Sequence, residues 1–166
     1  MEIIDLYNKN KEKINKTFTR NQDILLDDEY YLLETGWILN KNNEILLTRR
    51  SFDKSHGGMW EATAGHVKTN ETDLEGIQRE IKEETGLSIN KNDFIFIKYY
   101  IKKNAIHDVW LTKQDITIDD IKIDKKEVID AKFVTIDEFN KMLENHEVIE
   151  SLSYFSDVYY NYIQKI

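Results

Sequence analysis

The stretch Gly65-His66-Val67-Lys68-Thr69-Asn70-Glu71-Thr72-Asp73-Leu74-Glu75-Gly76-Ile77-Gln78-Arg79-Glu80-Ile81-Lys82-Glu83-Glu84-Thr85-Gly86-Leu87 decides how this chain is read. Thr72 with Glu75 forms a capping box, each side chain satisfying the other residue's backbone N–H, and Gly86 stands where a helix end favours a left-handed residue. A helix over residues 72–85 follows, and Leu74, Ile77 and Ile81 give it one apolar stripe to lay on a sheet. Glu80, Glu83 and Glu84 stand at i, i+3 and i+4, within an arc of roughly 100° on a helix. Three carboxylates on one face repel and raise one another's pKa, so the arrangement calls for a cation. Ligation by oxygen alone suits magnesium, or manganese. A solvated acidic face is the bland alternative in a chain this rich in glutamate.

Working outward, residues 30–39 and 44–49 flank Asn40-Lys41-Asn42-Asn43 and predict a hairpin. A loop over 51–59 with Gly57-Gly58 precedes a short strand over 60–64. Beyond the helix, residues 93–101 and 106–112 read as paired strands around Lys103-Asn104, and 132–135 as another short strand. A short helix follows Thr135, and an amphipathic helix is expected over 146–166, from Val148, Ile149, Leu152, Phe155, Val158, Tyr159, Tyr162 and Ile163. Residues 1–29 form an N-terminal extension, an edge strand or short helix followed by a loop.

A length of 166 residues fits one domain spanning 1–166, and 40% hydrophobic with 33% charged residues suits a folded chain. No run approaches the ~20 apolar residues of a membrane span, and the start lacks a signal-peptide layout, so a cytoplasmic protein without a membrane partner is expected. The net charge of −8 opposes a nucleic-acid surface while leaving room for a local phosphate pocket. Zero cysteines exclude disulfides, thiolate nucleophiles and cysteine-ligated zinc.

The spacing Gly65, five residues, Glu71, seven residues, Arg79-Glu80-Ile81, one residue, Glu83-Glu84, one residue, Gly86-Leu87 resembles the full Nudix box. Resemblance to the Nudix hydrolase family implies an α/β fold: a Nudix-type α/β/α sandwich with a mixed β-sheet and a loop-helix-loop catalytic motif over residues 65–87. It implies a metal-dependent hydrolase that cleaves a diphosphate bond in a nucleoside-diphosphate-linked or related small molecule. Carried over, Glu83 and Glu84 are metal ligands, Glu80 is a ligand or the general base, and the Gly65 carbonyl is a further ligand. Arg79 is counted with Glu80 and Glu83 in the catalytic set and pairs with Glu71, tying the preceding loop to the helix, with Glu71 and Gly86 in structural roles. Glu127 stands where an additional ligand often comes from, with a surface loop charge as the equal alternative. Arg49, Arg50 and Lys54 are placed to hold diphosphate oxygens or to be a solvated strand end, and His66 to touch metal or phosphate or to be structural. Trp37, Trp60 and Trp110 offer rings for stacking, though strand aromatics more often belong to a core.

Asp5-Leu6-Tyr7-Asn8-Lys9-Asn10, Trp37-Ile38-Leu39-Asn40, Leu46-Leu47-Thr48-Arg49-Arg50-Ser51 and Gly58-Met59-Trp60-Glu61 are similar to the branch containing isopentenyl-diphosphate isomerase. In that enzyme a catalytic cysteine precedes the Gly-His pair, whereas Ala64 precedes Gly65-His66, and Tyr31 stands where a metal-binding histidine is expected. Protonating an alkene needs such an acid. The alternatives to a hydrolase are this isomerase and a catalytically silent Nudix ligand-binding module, although no box glutamate is missing. The substrate and the oligomeric state are left open, a homodimer included.

Overall fold

The computed structural model describes residues 2–20 and 22–163. Its spine is β3 (Tyr31–Leu39), whose alternating side chains face two different layers. Gly36 and Ile38 turn toward helix α1 (Asp73–Thr85), where they meet Ile77 and Ile81. Trp37 and Leu39 turn the other way, toward Phe139 and Phe155 of helices α2 (Ile136–Glu144) and α3 (Phe155–Ile163). The sequence has therefore placed a small residue where a helix must come close and large ones where a thick core must be filled. A Cβ added at Gly36 would lie 2.8 Å from Ile77 Cγ1.

Around β3 stand β4 (Ile45–Arg50), β5 (Trp60–Glu61), β6 (Thr63–His66), β7 (Phe94–Lys102), β8 (Ala105–Lys113) and β9 (Val128–Val134), which complete a seven-stranded sheet. β3 and β8 run parallel from Tyr31↔Ala105 to Leu39↔Lys113, while the other pairings are antiparallel. With α1 on one face and α2 and α3 on the other, this is the α/β/α sandwich with a mixed sheet that the box implied. No helix among the described residues is long and apolar enough to cross a membrane.

Several local expectations are corrected. The hairpin over 30–49 joins its strands only at Leu39↔Ile45, because the middle of β3 takes β6 as partner, from Leu33↔His66 to Gly36↔Thr63. One edge of β3 is thus divided between two neighbours, and β4 continues into its own ladder with β5 and β9. The strand expected over 132–135 starts earlier, at Val128. The helix expected over 146–166 starts only at Phe155, since Val148 bridges Trp60 and residues 150–152 make a tight 3-10 turn; residues 164–166 lie outside the described residues. The described residues of the extension over 1–29 hold a two-stranded hairpin, β1 (Ile3–Tyr7) with β2 (Lys13–Thr19), followed by a loop; residues 1 and 21 lie outside the described residues.

The predicted helix signals are met in α1. Thr72 Oγ1 accepts the Glu75 N–H at 3.3 Å, Glu75 Oε2 accepts the Thr72 N–H at 2.8 Å, and Gly86 closes the helix at φ 74°. Trp37 is fully buried and stacked on Phe155, with ring centroids 3.6 Å apart. Replacing Gly36 by valine forces branched carbons into Ile77 and Ile81. Urea unfolding is expected to show a loss of about 1–3 kcal/mol, as for other overpacked cores, and an unchanged midpoint would remove Gly36 as the point of closest approach.

Candidate functional site

A cleft of about 710 Å³ opens where β3, β4, β5 and β6 meet the catalytic-motif helix. Tyr31, Leu33 and Thr35 of β3 line it together with Arg50, Lys54, Glu61, Ala64, Gly65, His66, Lys68, Glu80, Glu83, Glu84 and Glu127. The three box glutamates therefore share one wall, as their helical spacing predicts. Gly65 is where the strand passes closest to the helix, and a Cβ there would occupy the Glu80 carboxyl. Only glycine lets both stand in place.

Arg79 organises this wall. Its Nε and Nη2 donate to the two oxygens of Glu71 at 2.7 and 3.0 Å, its Nη1 to Glu80 at 2.6 Å and Glu83 at 3.2 Å, and its Nη2 also to the His66 carbonyl at 2.8 Å. Burial disfavours the guanidinium charge, but the Glu71 and Glu80 carboxylates more than offset this and raise its pKa. The arginine is a fixed cation joining β6, the loop after it and α1. The Glu71 pairing expected from the box is present in bidentate form.

The carboxylates sit in graded environments. Glu83 is half-exposed at the mouth. Burial raises the Glu80 pKa even against Arg79. Glu84 is 4% exposed, and burial together with the nearby charges of Glu61 and Glu80 pushes it up to about 8. Its Oε2 has no hydrogen-bond partner within the protein. A buried carboxylate oxygen with no donor, beside two further carboxylates and the Gly65 backbone, is the donor set that a hard divalent cation fits.

The basic candidates divide. Arg50 enters the cleft, but its Nη1 already donates to both oxygens of Glu61 at 2.5 and 2.7 Å and its Nε to the Ser55 carbonyl at 2.7 Å. Lys54 pairs directly with Glu127, so these two cleft residues neutralise each other across its rim. Arg49 is not among the lining residues. Its Nε donates to the Gly58 carbonyl at 2.8 Å and its guanidinium rests between the Phe52 and Trp60 rings. His66 is in the wall with its ring 5.1 Å from that of Tyr31, and burial, then the charge of Arg20, brings its pKa down to about 4, so it is neutral at pH 7. Trp37, Trp60 and Trp110 do not line the cleft.

Two contributions escaped the sequence reading. Glu61 is 6% exposed beside Glu84; an acidic residue inside the apolar run Met59-Trp60-Glu61-Ala62 was the available signal. Further lining is supplied by Phe18 and Arg20 from the N-terminal hairpin and by Tyr100 and His107 from β7 and β8. Phe18 stacks on Tyr31, with centroids 6.3 Å apart, and Tyr100 on His107 at 4.6 Å. The first pairing joins the N-terminal hairpin to β3, and the second is a cross-strand pair of the β7–β8 hairpin whose place at the cleft depends on the whole sheet.

Comparison with known proteins agrees with this architecture. The NUDIX domain family model matches residues 35–153. An uncharacterized Nudix hydrolase of Listeria monocytogenes is 30% identical over 151 residues, spanning 90% of this chain and 89% of that protein. The 8-oxo-dGTP diphosphatase of Escherichia coli is 36% identical over 56 residues, 34% of this chain and 43% of that enzyme. Among solved structures, DR0079 of Deinococcus radiodurans superposes with a TM-score of 0.76 at 16% identity, covering 96% of this chain and 99% of that one. With a family model covering most of its length and a whole-chain relative at this identity, the chain belongs to the NUDIX family and is a Nudix hydrolase.

Proposed function

We propose that this Nudix hydrolase cleaves a diphosphate bond in a nucleoside-diphosphate-linked or related small molecule, with magnesium, or manganese, as cofactor. The observation that carries the reading is the cleft wall on which Glu80, Glu83 and Glu84 stand together, with the Glu84 Oε2 buried and without a donor. Glu83, Glu84 and the Gly65 carbonyl would hold the metal, with Glu80 a further ligand or the general base. A bound metal would polarise the phosphoryl group and acidify a water. Arg79 then acts as a positioning residue, since its guanidinium holds Glu80 and Glu83 on one side and Glu71 on the other.

Glu127 lies on the cleft rim, where it can join the ligand set once Lys54 turns to a phosphate. Arg50 and Lys54 are the diphosphate-holding candidates in the cleft, with Lys68 beside Glu83 as a third cation. Arg49 drops out of that set, since its guanidinium is occupied outside the cleft. A nucleotide substrate class is supported by the likeness of a segment of this chain to the 8-oxo-dGTP diphosphatase. Hydrolysis is favoured over isomerisation because Ala64, at the edge of the cleft, offers no acid where the isomerase has a cysteine, and the chain holds no cysteine at all.

Phosphate release over a panel of nucleoside triphosphates, dinucleotide polyphosphates, nucleotide sugars and prenyl diphosphates tests this. With magnesium at least one nucleotide-type compound is expected to turn over, EDTA to abolish the reaction, and Glu83→Gln to lower kcat on the order of 10²–10³-fold, as for loss of one transition-state contact. Turnover of no compound, or a fully active variant, contradicts the proposal. Arg79→Lys keeps a charge but loses the fork that reaches five acceptor atoms on four residues. Its activity is expected to fall roughly 10–100-fold, the usual cost of a residue that orients ligands, with the apparent magnesium requirement raised; an unshifted magnesium dependence would deny Arg79 its positioning role.

A further inference from the structure

A second group of carboxylates lies apart from the box. Glu34 of β3 and Asp108 of β8 are register partners on adjacent parallel strands, and Asp73 reaches them from the first turn of α1. One ligand oxygen from each of the three lies within 4.8 Å of the other two. Asp73 precedes Glu80 by two helical turns, about 10 Å along the axis at 1.5 Å per residue, so this is a separate group. Glu34 and Asp108 are both 0% exposed, and the Asp73 side chain, at 36%, is the side open to solvent.

The charges do not close. Lys11, from the turn between β1 and β2, bonds Oδ2 of Asp73 at 2.7 Å and Oδ2 of Asp108, and does not reach Glu34. The indole N–H of Trp110 donates to Glu34 Oε2 at 2.6 Å. Left over are Glu34 Oε1 and Asp108 Oδ1, each buried and without a partner. One ammonium thus faces three carboxylates, and the two buried oxygens it leaves untouched are on neighbouring strands. Unpartnered buried carboxylate oxygens are costly. Carboxylate oxygens within 4.8 Å of one another fit around one ion with bonds of roughly 2.3–2.6 Å, the calcium range.

We propose that Glu34, Asp108 and Asp73 form a second hard-cation site, of calcium type, between the sheet and the start of α1, with the Lys11 ammonium as its internal competitor. Cation entry loosens Lys11 from the cluster, because the ion takes over the Asp73 and Asp108 oxygens that the ammonium holds. The N-terminal hairpin is thereby coupled to the ion, since Lys11 is one of its ties to the sheet and α1.

Calcium titration by isothermal calorimetry tests the site independently of hydrolysis. In a chain whose box is disabled by Glu80→Gln and Glu83→Gln, one equivalent of calcium is expected to remain bound. Adding Glu34→Gln or Asp73→Asn is expected to weaken it at least tenfold, and Lys11→Met to tighten it at least tenfold. A thermal melt of each variant separates lost binding from lost fold, and the half-exposed Asp73→Asn gives the reading should Glu34→Gln not fold. No calcium retained by the box-disabled chain, affinity untouched by both carboxylate changes, or weaker binding with Lys11→Met overturns the proposal; the last is the result expected if Lys11 is the permanent cation of the cluster.

Discussion

The fan of hydrogen bonds from the Arg79 guanidinium is the constraint on which the site rests. Five carboxylate and carbonyl contacts, from Glu71, Glu80, Glu83 and His66, converge on one planar cation. Without it, Glu80 and Glu83 would repel and the loop before α1 would lose its anchor to the helix. Because the group is largely enclosed, removing it leaves uncompensated charge, which costs more than the pair itself contributes. The result is a wall whose carboxylates are oriented before any ligand arrives, and preorganisation of this kind spares reorganisation during reaction.

That wall is aimed by β3. Its two faces serve separate layers, and Gly36 lets α1 settle close enough for Glu80 to meet the Gly65 backbone on the adjoining strand. Its divided edge, shared by β6 and the end of β4, makes the gap in which the cleft lies. Trp37, stacked on Phe155, lies further along the face of β3 that carries the cleft-lining Tyr31, Leu33 and Thr35, and anchors the strand to the second helical layer.

Legibility in the sequence followed the range of the forces involved. Helix α1, its caps and the shared face of its glutamates are set by residues three and four apart, and these were readable from 72–86 alone. β7 and β8 were readable as well, since their turn and alternation are local. The choice of β6 over β4 as partner for β3, the docking of the N-terminal hairpin and the pairing of Glu34 with Asp108 are decided between residues far apart in the chain. Arg49 and Arg50 show the same limit at its smallest scale. They are adjacent, yet strand alternation sends one toward Phe52 and Trp60 and the other into the cleft, and only the register with β5 and β9 says which. Glu61 and Glu34 were hidden because an acidic residue within a strand reads locally as a solvent-facing one.

The N-terminal hairpin brings Phe18 and Arg20 to the cleft from a part of the chain that precedes the residues matched by the family model. The glutamate wall and this part of the cleft lining are thus encoded in separate segments, joined in space by the Lys11 ion pairs with Asp73 and Asp108 and by the Thr69 N–H donating to the Ile3 carbonyl. Heritable change in the first segment can reshape what the cleft admits while every bond that orients the glutamates is kept. Such a division lets selectivity drift under one set of mutations and chemical competence be conserved under another.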